Sequence, residues 1–165
     1  VGFGNHSIGF SCGMPDISSP PLSSPPAWMG RWLVAAGIYN LAWGAVTVLY
    51  PGWLFDLTGM ELPRYPFIWQ CVGMIVGVYG IGYLAAATAP LRHWPIVLVG
   101  FLGKLFGPLG YVMGALRGEV PWEFGVTLPT NDLLWWIPFG LMLLSAWRER
   151  PSGRQPAVSR RSEAA

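Results

Sequence analysis

Charge is what this sequence has least of. Asp, Glu, Lys and Arg together make up 11% of its 165 residues, against 53% for the hydrophobic class. A soluble domain carries roughly 25% charged residues, because a body of this size needs polar surface to stay in water. A water-borne monomer is therefore excluded, and so is a disordered tail protein. The formal net charge of +2 is too small to draw a polyanion, so no nucleic-acid partner is expected. The chain has two cysteines, Cys12 and Cys71, too few for a disulfide scaffold, and no C-x-x-C pair for thiol–disulfide chemistry. Its two histidines, His6 and His93, are remote in sequence. No His/Cys/carboxylate cluster suits zinc, a two-His haem is implausible, and no metal or cofactor is expected. Gly103-Lys104 lacks the order of a phosphate loop, and Ser145 has no evident base. What remains is a membrane protein.

The missing charge is missing in four stretches. Trp32 to Phe55 and Tyr65 to Leu91 have none, Trp94 to Leu116 holds only Lys104, and Leu133 to Trp147 has none. Crossing ~30 Å of hydrocarbon takes ~20 helical residues, so the first three windows can span. The fourth, at 15 residues, is short; it spans if Arg148 snorkels and Asn131 and Asp132 sit near the outer boundary. Barrel strands alternate in polarity and run ~10 residues, and these windows do neither. The expected fold is all-α: an integral membrane four-helix bundle, antiparallel and up-down, with spans near 32–51, 66–88, 94–116 and 132–148 inside a domain of 28–148. Pro90 to Pro95 reads as a tight turn that makes spans two and three neighbours.

With both termini on one side, that side holds Arg31, Arg92, Arg148, Arg150, Arg154, Arg160 and Arg161. The other holds Arg64 and Arg117, with Asp56, Glu61, Glu119, Glu123 and Asp132. The bias places both termini in the cytoplasm and the protein in the cell's inner membrane. Trp32, Trp94 and Trp147 on one side, and Trp53, Trp69, Trp122, Trp135 and Trp136 on the other, read as an aromatic belt. Residues 1–27, rich in Ser, Pro and Gly, are expected to be disordered. They read as an overextended gene start, Val1 standing where Met14 is a plausible first residue. Residues 149–165 are expected to be a disordered basic tail that fixes topology.

Small residues form three stripes. Span three carries Gly100, Gly103, Gly107, Gly110 and Gly114 at intervals of 3, 4, 3 and 4. Span two carries Gln70, Gly73, Gly77 and Gly80, with Tyr83 continuing the stripe, and span one Gly37, Asn40, Gly44 and Thr47. Such spacing keeps each set on one helix face, and in lipid small residues let helices approach closely. The three helices are expected to touch along these stripes.

The polar residues on the stripes are the candidate site. Lys104 lies ten residues above Trp94, hence ~15 Å deep. A lysine there costs ~3 kcal/mol on the insertion scale before it finds a partner. Asn40 lies at ~13 Å and Tyr83 at ~10 Å, so a Lys104 side chain leaning toward its helix N-terminus would meet them on the cytoplasmic side. A second polar layer nearer the outer face would hold Gln70, Asn131, Asp132 and Tyr111. Pro108 and Pro138 free carbonyls toward the same interior. Lys104 is either a hydrogen-bonded structural residue or part of a ligand or proton site. Asn40 reads as interhelical glue, Asp132 as a helix N-cap or first-turn acid, Gln70 as either glue or ligand, and His93 as a solvated loop residue.

Four segments carry a resemblance: Tyr39-Asn40-Leu41-Ala42-Trp43-Gly44, Trp69-Gln70-Cys71-Val72-Gly73-Met74, Gly103-Lys104-Leu105-Phe106-Gly107-Pro108 and Asn131-Asp132-Leu133-Leu134-Trp135-Trp136. Over residues 30–147 the chain resembles short bacterial four-span membrane proteins of uncharacterised activity, similar in layout to small DoxX-like proteins. Some of these carry the label alkyl hydroperoxide reductase, which this sequence does not support. Such peroxidases use a peroxidatic cysteine motif or a C-x-x-C pair, and Cys71 stands alone.

The sequence therefore implies a multi-pass membrane protein without demonstrable enzymatic chemistry. Lys104, Asn40, Tyr83, Gln70 and Asp132 would bind an anionic or carbonyl-bearing small molecule or lipid headgroup. The alternatives are an accessory subunit whose glycine stripes dock a larger complex, and a membrane redox enzyme linked to hydroperoxide or quinone. The expected partners are the bilayer, a small-molecule or lipid ligand, and either further copies of the chain or a larger membrane complex.

Overall fold

The computed structural model describes residues 25–149. The N-terminal segment and the basic tail lie outside these residues but for 25–27 and Glu149, as do Cys12 and Met14. Every regular element among the described residues is helical: α1 (Ala27–Leu49), α2 (Trp53–Thr58), α3 (Pro66–Ala87), α4 (Trp94–Leu116), a 3-10 helix (Trp122–Thr127), a π-helix (Pro129–Leu133) and α5 (Leu134–Arg148). Three of them, α1, α3 and α4, are long and apolar enough to cross a membrane. At 23 residues and 1.5 Å per residue, α1 and α4 reach ~34 Å, past the ~30 Å of a hydrocarbon core. Their outward faces are apolar, with Ile38, Ile75, Val78, Ile81 and Phe106 all exposed. Apolar surface on that scale belongs against lipid, and these three helices make the chain a multi-pass membrane protein.

Local chemistry sets the helix ends. α1 begins at Ala27, five residues before the charge-free window, because Met29 and Leu33 already pack into the core. It stops at Tyr50, whose successor Pro51 disfavours helical backbone in the residue before it. α3 and α4 both open with proline in the first turn, where no N–H is needed. α2 ends at Gly59, which takes the left-handed conformation at φ +70° that side chains rarely adopt.

α1 and α3 are the closest pair, and glycine lets them be so. A Cβ added to Gly44 would lie 2.5 Å from the Gly73 carbonyl oxygen, and one on Gly80 would lie 2.8 Å from that of Gly37. Pairing Gly37 with Gly80 and Gly44 with Gly73 also shows that the two helices run in opposite directions. Their stripes interlock backbone to backbone.

The α4 stripe behaves differently, and here the expectation of three touching stripes is corrected. Only Gly100 and Gly114 are buried; a Cβ on Gly103 or Gly110 would meet nothing within 4 Å. α3 and α4 meet near the Ala89–His93 turn, through Tyr83 on Gly100 and Gly82 beside Ile96. Farther from that turn a cavity takes the place of contact. The spacing identified a face of α4, but that face borders space.

At the turn end, Met29, Leu33, Ala36, Tyr83, Ala86, Val97, Phe139 and Met142 form the core. At the opposite end α2 and the 3-10 helix close the molecule, with Phe55 and Phe124 ring to ring at 6.1 Å. From Trp122 the chain stays helical to Arg148, passing through the wide π turn. The indole of Trp135 donates to the Thr130 carbonyl at 2.9 Å, and its ring lies against Trp32 and Tyr39. Trp135 is buried and Trp136 half-buried, so neither is a belt residue.

Candidate functional site

The cavity between α1, α3, α4 and the π segment has a volume of about 350 Å³. Asn40, Tyr83, Lys104 and Asp132 all line it, drawn from four separate elements.

Its floor, nearest the turn, is the ring of Tyr83 laid over Gly100. Any side chain at Gly100 would overlap that ring, so glycine is required there. Tyr83 is wedged edge-on against Phe139 at 5.1 Å and tilted against Tyr79 at 6.4 Å. The roof is aromatic: Trp43 and Trp69 meet at 5.9 Å, and Trp69 touches Phe55 at 5.5 Å and Phe124 at 6.1 Å. Tyr111 donates its hydroxyl to the Trp122 carbonyl at 2.7 Å, which fastens the 3-10 helix to α4.

Lys104 occupies the wall and is 6% exposed. Its ammonium donates to the backbone carbonyl of Asn131 and, at 3.5 Å, to Oδ1 of Asn40. Of the two partners expected for it, Lys104 meets Asn40 but bonds no atom of Tyr83, and its shorter bond goes to the π segment. The wide turn explains it, because it aims the Asn131 carbonyl at α4 rather than down its own helix. The two polar layers read from the sequence are one layer. An ammonium has three donors, and two have protein acceptors here.

Asp132 is 5% exposed and faces the same cavity. Oδ2 accepts from Asn131 Nδ2 at 3.0 Å, while Gly107 leaves room for the carboxylate, its notional Cβ being 3.6 Å from Oδ1. Asp132 is no N-cap, since no side-chain cap bond forms at either helix start, but it is the first-turn acid of the π-helix, the other role expected for it. Asp132 and Lys104 both line the cavity, and their opposite formal charges leave it formally neutral.

Two other sequence expectations change. Gln70 is absent from the cavity lining; its Nε2 donates to the Val48 carbonyl at 2.8 Å, tying α3 to α1. His93 is half-buried with Nδ1 enclosed and unpartnered, so it is not a solvated loop residue. Cys71 is exposed and outside the lining. Among the described residues, no three His, Cys, Asp or Glu side chains come together as a metal site.

The structure adds residues that sequence reasoning missed. Trp43, Trp69 and Tyr79 line the cavity, while Asn131, expected in the outer polar layer, acts through its backbone carbonyl as well as its side chain. A signal for α3 was present: Trp69, Val72, Val76, Tyr79 and Tyr83 recur at 3, 4, 3 and 4 and all line the cavity. Three atoms of lining residues are buried without a hydrogen-bond partner: Nε1 of Trp43, Nε1 of Trp69 and Oδ1 of Asn131. Buried polar groups are nearly always paired, and an unpaired one costs ~1–3 kcal/mol. The cavity itself is lined by Lys104, whose ammonium has a donor to spare, and by the Asp132 carboxylate. That set can hold a small polar group that both accepts and donates.

No protein-family model, curated protein or solved structure matches this chain.

Proposed function

We propose that this is a four-span integral membrane protein that binds a small molecule or lipid headgroup in the polar chamber around Lys104. The segment from the π turn to Arg148 supplies the fourth crossing of an antiparallel bundle. Both termini lie on the cytoplasmic side of the inner membrane, where arginine is concentrated. The likeness to short bacterial four-span, DoxX-like proteins belongs to the same proposal and rests on the four quoted segments.

The observation that carries the reading is a cavity walled by one buried cation, Lys104, and one buried carboxylate, Asp132, with buried atoms of its lining residues Trp43, Trp69 and Asn131 left unpartnered. A purely structural lysine would be expected among satisfied neighbours, because a half-satisfied buried network is worse than an apolar one. Binding, rather than chemistry, is the function proposed, in keeping with a cation held by hydrogen bonds to Asn40 and Asn131. The rival reading as a docking subunit loses the α1 and α3 glycines, which are used up on each other, and keeps only the stripe on α4.

Native mass spectrometry of protein taken from its own membranes tests the proposal. The wild type should carry one small adduct that Lys104→Met lacks, with helical content unchanged between them. Identical adducts, or none in either, would refute it.

A further inference from the structure

The chamber has a neighbour. On the lipid-facing side of the α3–α4 seam lies a groove of about 660 Å³, lined by Met74, Ile75, Val78, Tyr79, Gly82, Pro95, Ile96 and Val99. Tyr79 borders both spaces, so one phenol ring stands between the polar chamber and an otherwise apolar groove. A small residue keeps that passage wide. Gly103 lines the chamber with open space where a Cβ would be.

We propose that the ligand is a neutral amphiphile with one hydrocarbon chain, its head in the chamber and its chain leaving past Tyr79 along the groove. This rests on the reading of the chamber as a binding site and names the class of molecule it takes. The head is specified by the wall. The Lys104 ammonium calls for an acceptor oxygen, and the Asp132 carboxylate calls for a donor. Lys104 and Asp132 balance in charge, which favours a neutral head over a carboxylate or phosphate. An ester or ketone carbonyl beside a hydroxyl, as in a monoacylglycerol, meets each requirement. The tail is specified by the groove, where Ile75, Val78, Ile96 and Val99 offer no hydrogen-bonding atom on their side chains and Met74 only a weakly accepting sulfur. Such a ligand enters from the bilayer through the seam and never crosses water.

The probes are 1-mono-oleoylglycerol, oleate, and glycerol monoacetate as the same head without its chain, titrated into the purified protein and read by native mass spectrometry. Mono-oleoylglycerol should give one saturable adduct; oleate at pH 8 and glycerol monoacetate should each bind at least ten-fold more weakly. Val78→Trp and Val99→Trp, which obstruct the groove from exposed positions, should each weaken mono-oleoylglycerol at least ten-fold. Val112→Trp, exposed on α4 away from the groove, should leave it unchanged. If both groove variants bind as wild type while Lys104→Met loses the adduct, the chain route is overturned and the chamber stands. Tighter binding of oleate than of mono-oleoylglycerol overturns the neutral head. Undiminished binding in Lys104→Met overturns both proposals.

Discussion

The indole Nε1 of Trp136 donates to the backbone carbonyl of Lys104 at 3.0 Å. That carbonyl is available because Pro108, four residues on, has no N–H to bond it. A proline inside α4 thus creates an acceptor, a tryptophan on α5 satisfies it, and the pair fixes the backbone from which the Lys104 side chain departs.

Trp136→Phe should therefore destabilise the protein by about 1–3 kcal/mol, the usual cost of an orphaned buried acceptor. In a Pro108→Ala background the restored amide takes over the carbonyl, and the same substitution should cost far less. Thermal unfolding in detergent of the four proteins of this cycle measures the coupling. Additive losses would remove Pro108 from the explanation.

Glycines that share one spacing should differ sharply in tolerance. Gly80→Ala would press its methyl to 2.8 Å from the Gly37 carbonyl and 3.1 Å from the Leu41 amide nitrogen, forcing α1 and α3 apart. Overpacking of this kind costs ~1–3 kcal/mol. Gly103→Ala and Gly110→Ala meet open space and should be neutral or slightly stabilising, alanine being the better helix former. Unfolding temperatures of the three variants decide it.

Gln70→Leu separates glue from site. Loss of the bond to the Val48 carbonyl should cost ~0.6 kcal/mol, the mean for interhelical bonds in membranes, up to roughly 2. Ligand retention should not change, since Gln70 is outside the chamber. A variant that unfolds normally yet loses its adduct would return Gln70 to the site.

Cys71 reports on embedding. It is exposed on α3, on the side that this account gives to lipid. In a Cys12→Ser background within bilayers, a charged maleimide should leave Cys71 unlabelled, because a charged reagent does not enter hydrocarbon. Labelling should become complete after denaturation in dodecyl sulfate. Rapid labelling in the intact bilayer would place α3 in water.

Much of this architecture is legible in the order of residues, and the reasons are physical. Charge-free windows locate α1, α3 and α4 because hydrocarbon tolerates little else, and prolines at 66 and 95 mark two helix starts. Lys104 and Asn40 could be placed at one depth by counting residues at 1.5 Å each. A 3-4 interval, however, names a face without naming its partner. Gly44 and Gly103 look alike in sequence, yet one is pressed on a backbone and the other opens a cavity. The π turn at Pro129–Leu133 is equally silent, because a one-residue widening of the helical ladder leaves no compositional trace. It is that turn which carries Asn131 to Lys104 and removes Asp132 from a capping role. Tryptophan misleads for a related reason: Trp43, Trp69, Trp135 and Trp136 have the amphipathic character of interface residues but spend it inside the bundle.

The most direct measurement is an experimental density map of the protein extracted gently from its own membrane, at a resolution that shows side chains. The account predicts non-protein density inside the chamber, within hydrogen-bond reach of the Lys104 ammonium and of the Asp132 carboxylate. A Lys104 amine turned to lipid or bulk water, or a chamber closed by contact between α3 and α4, would contradict it.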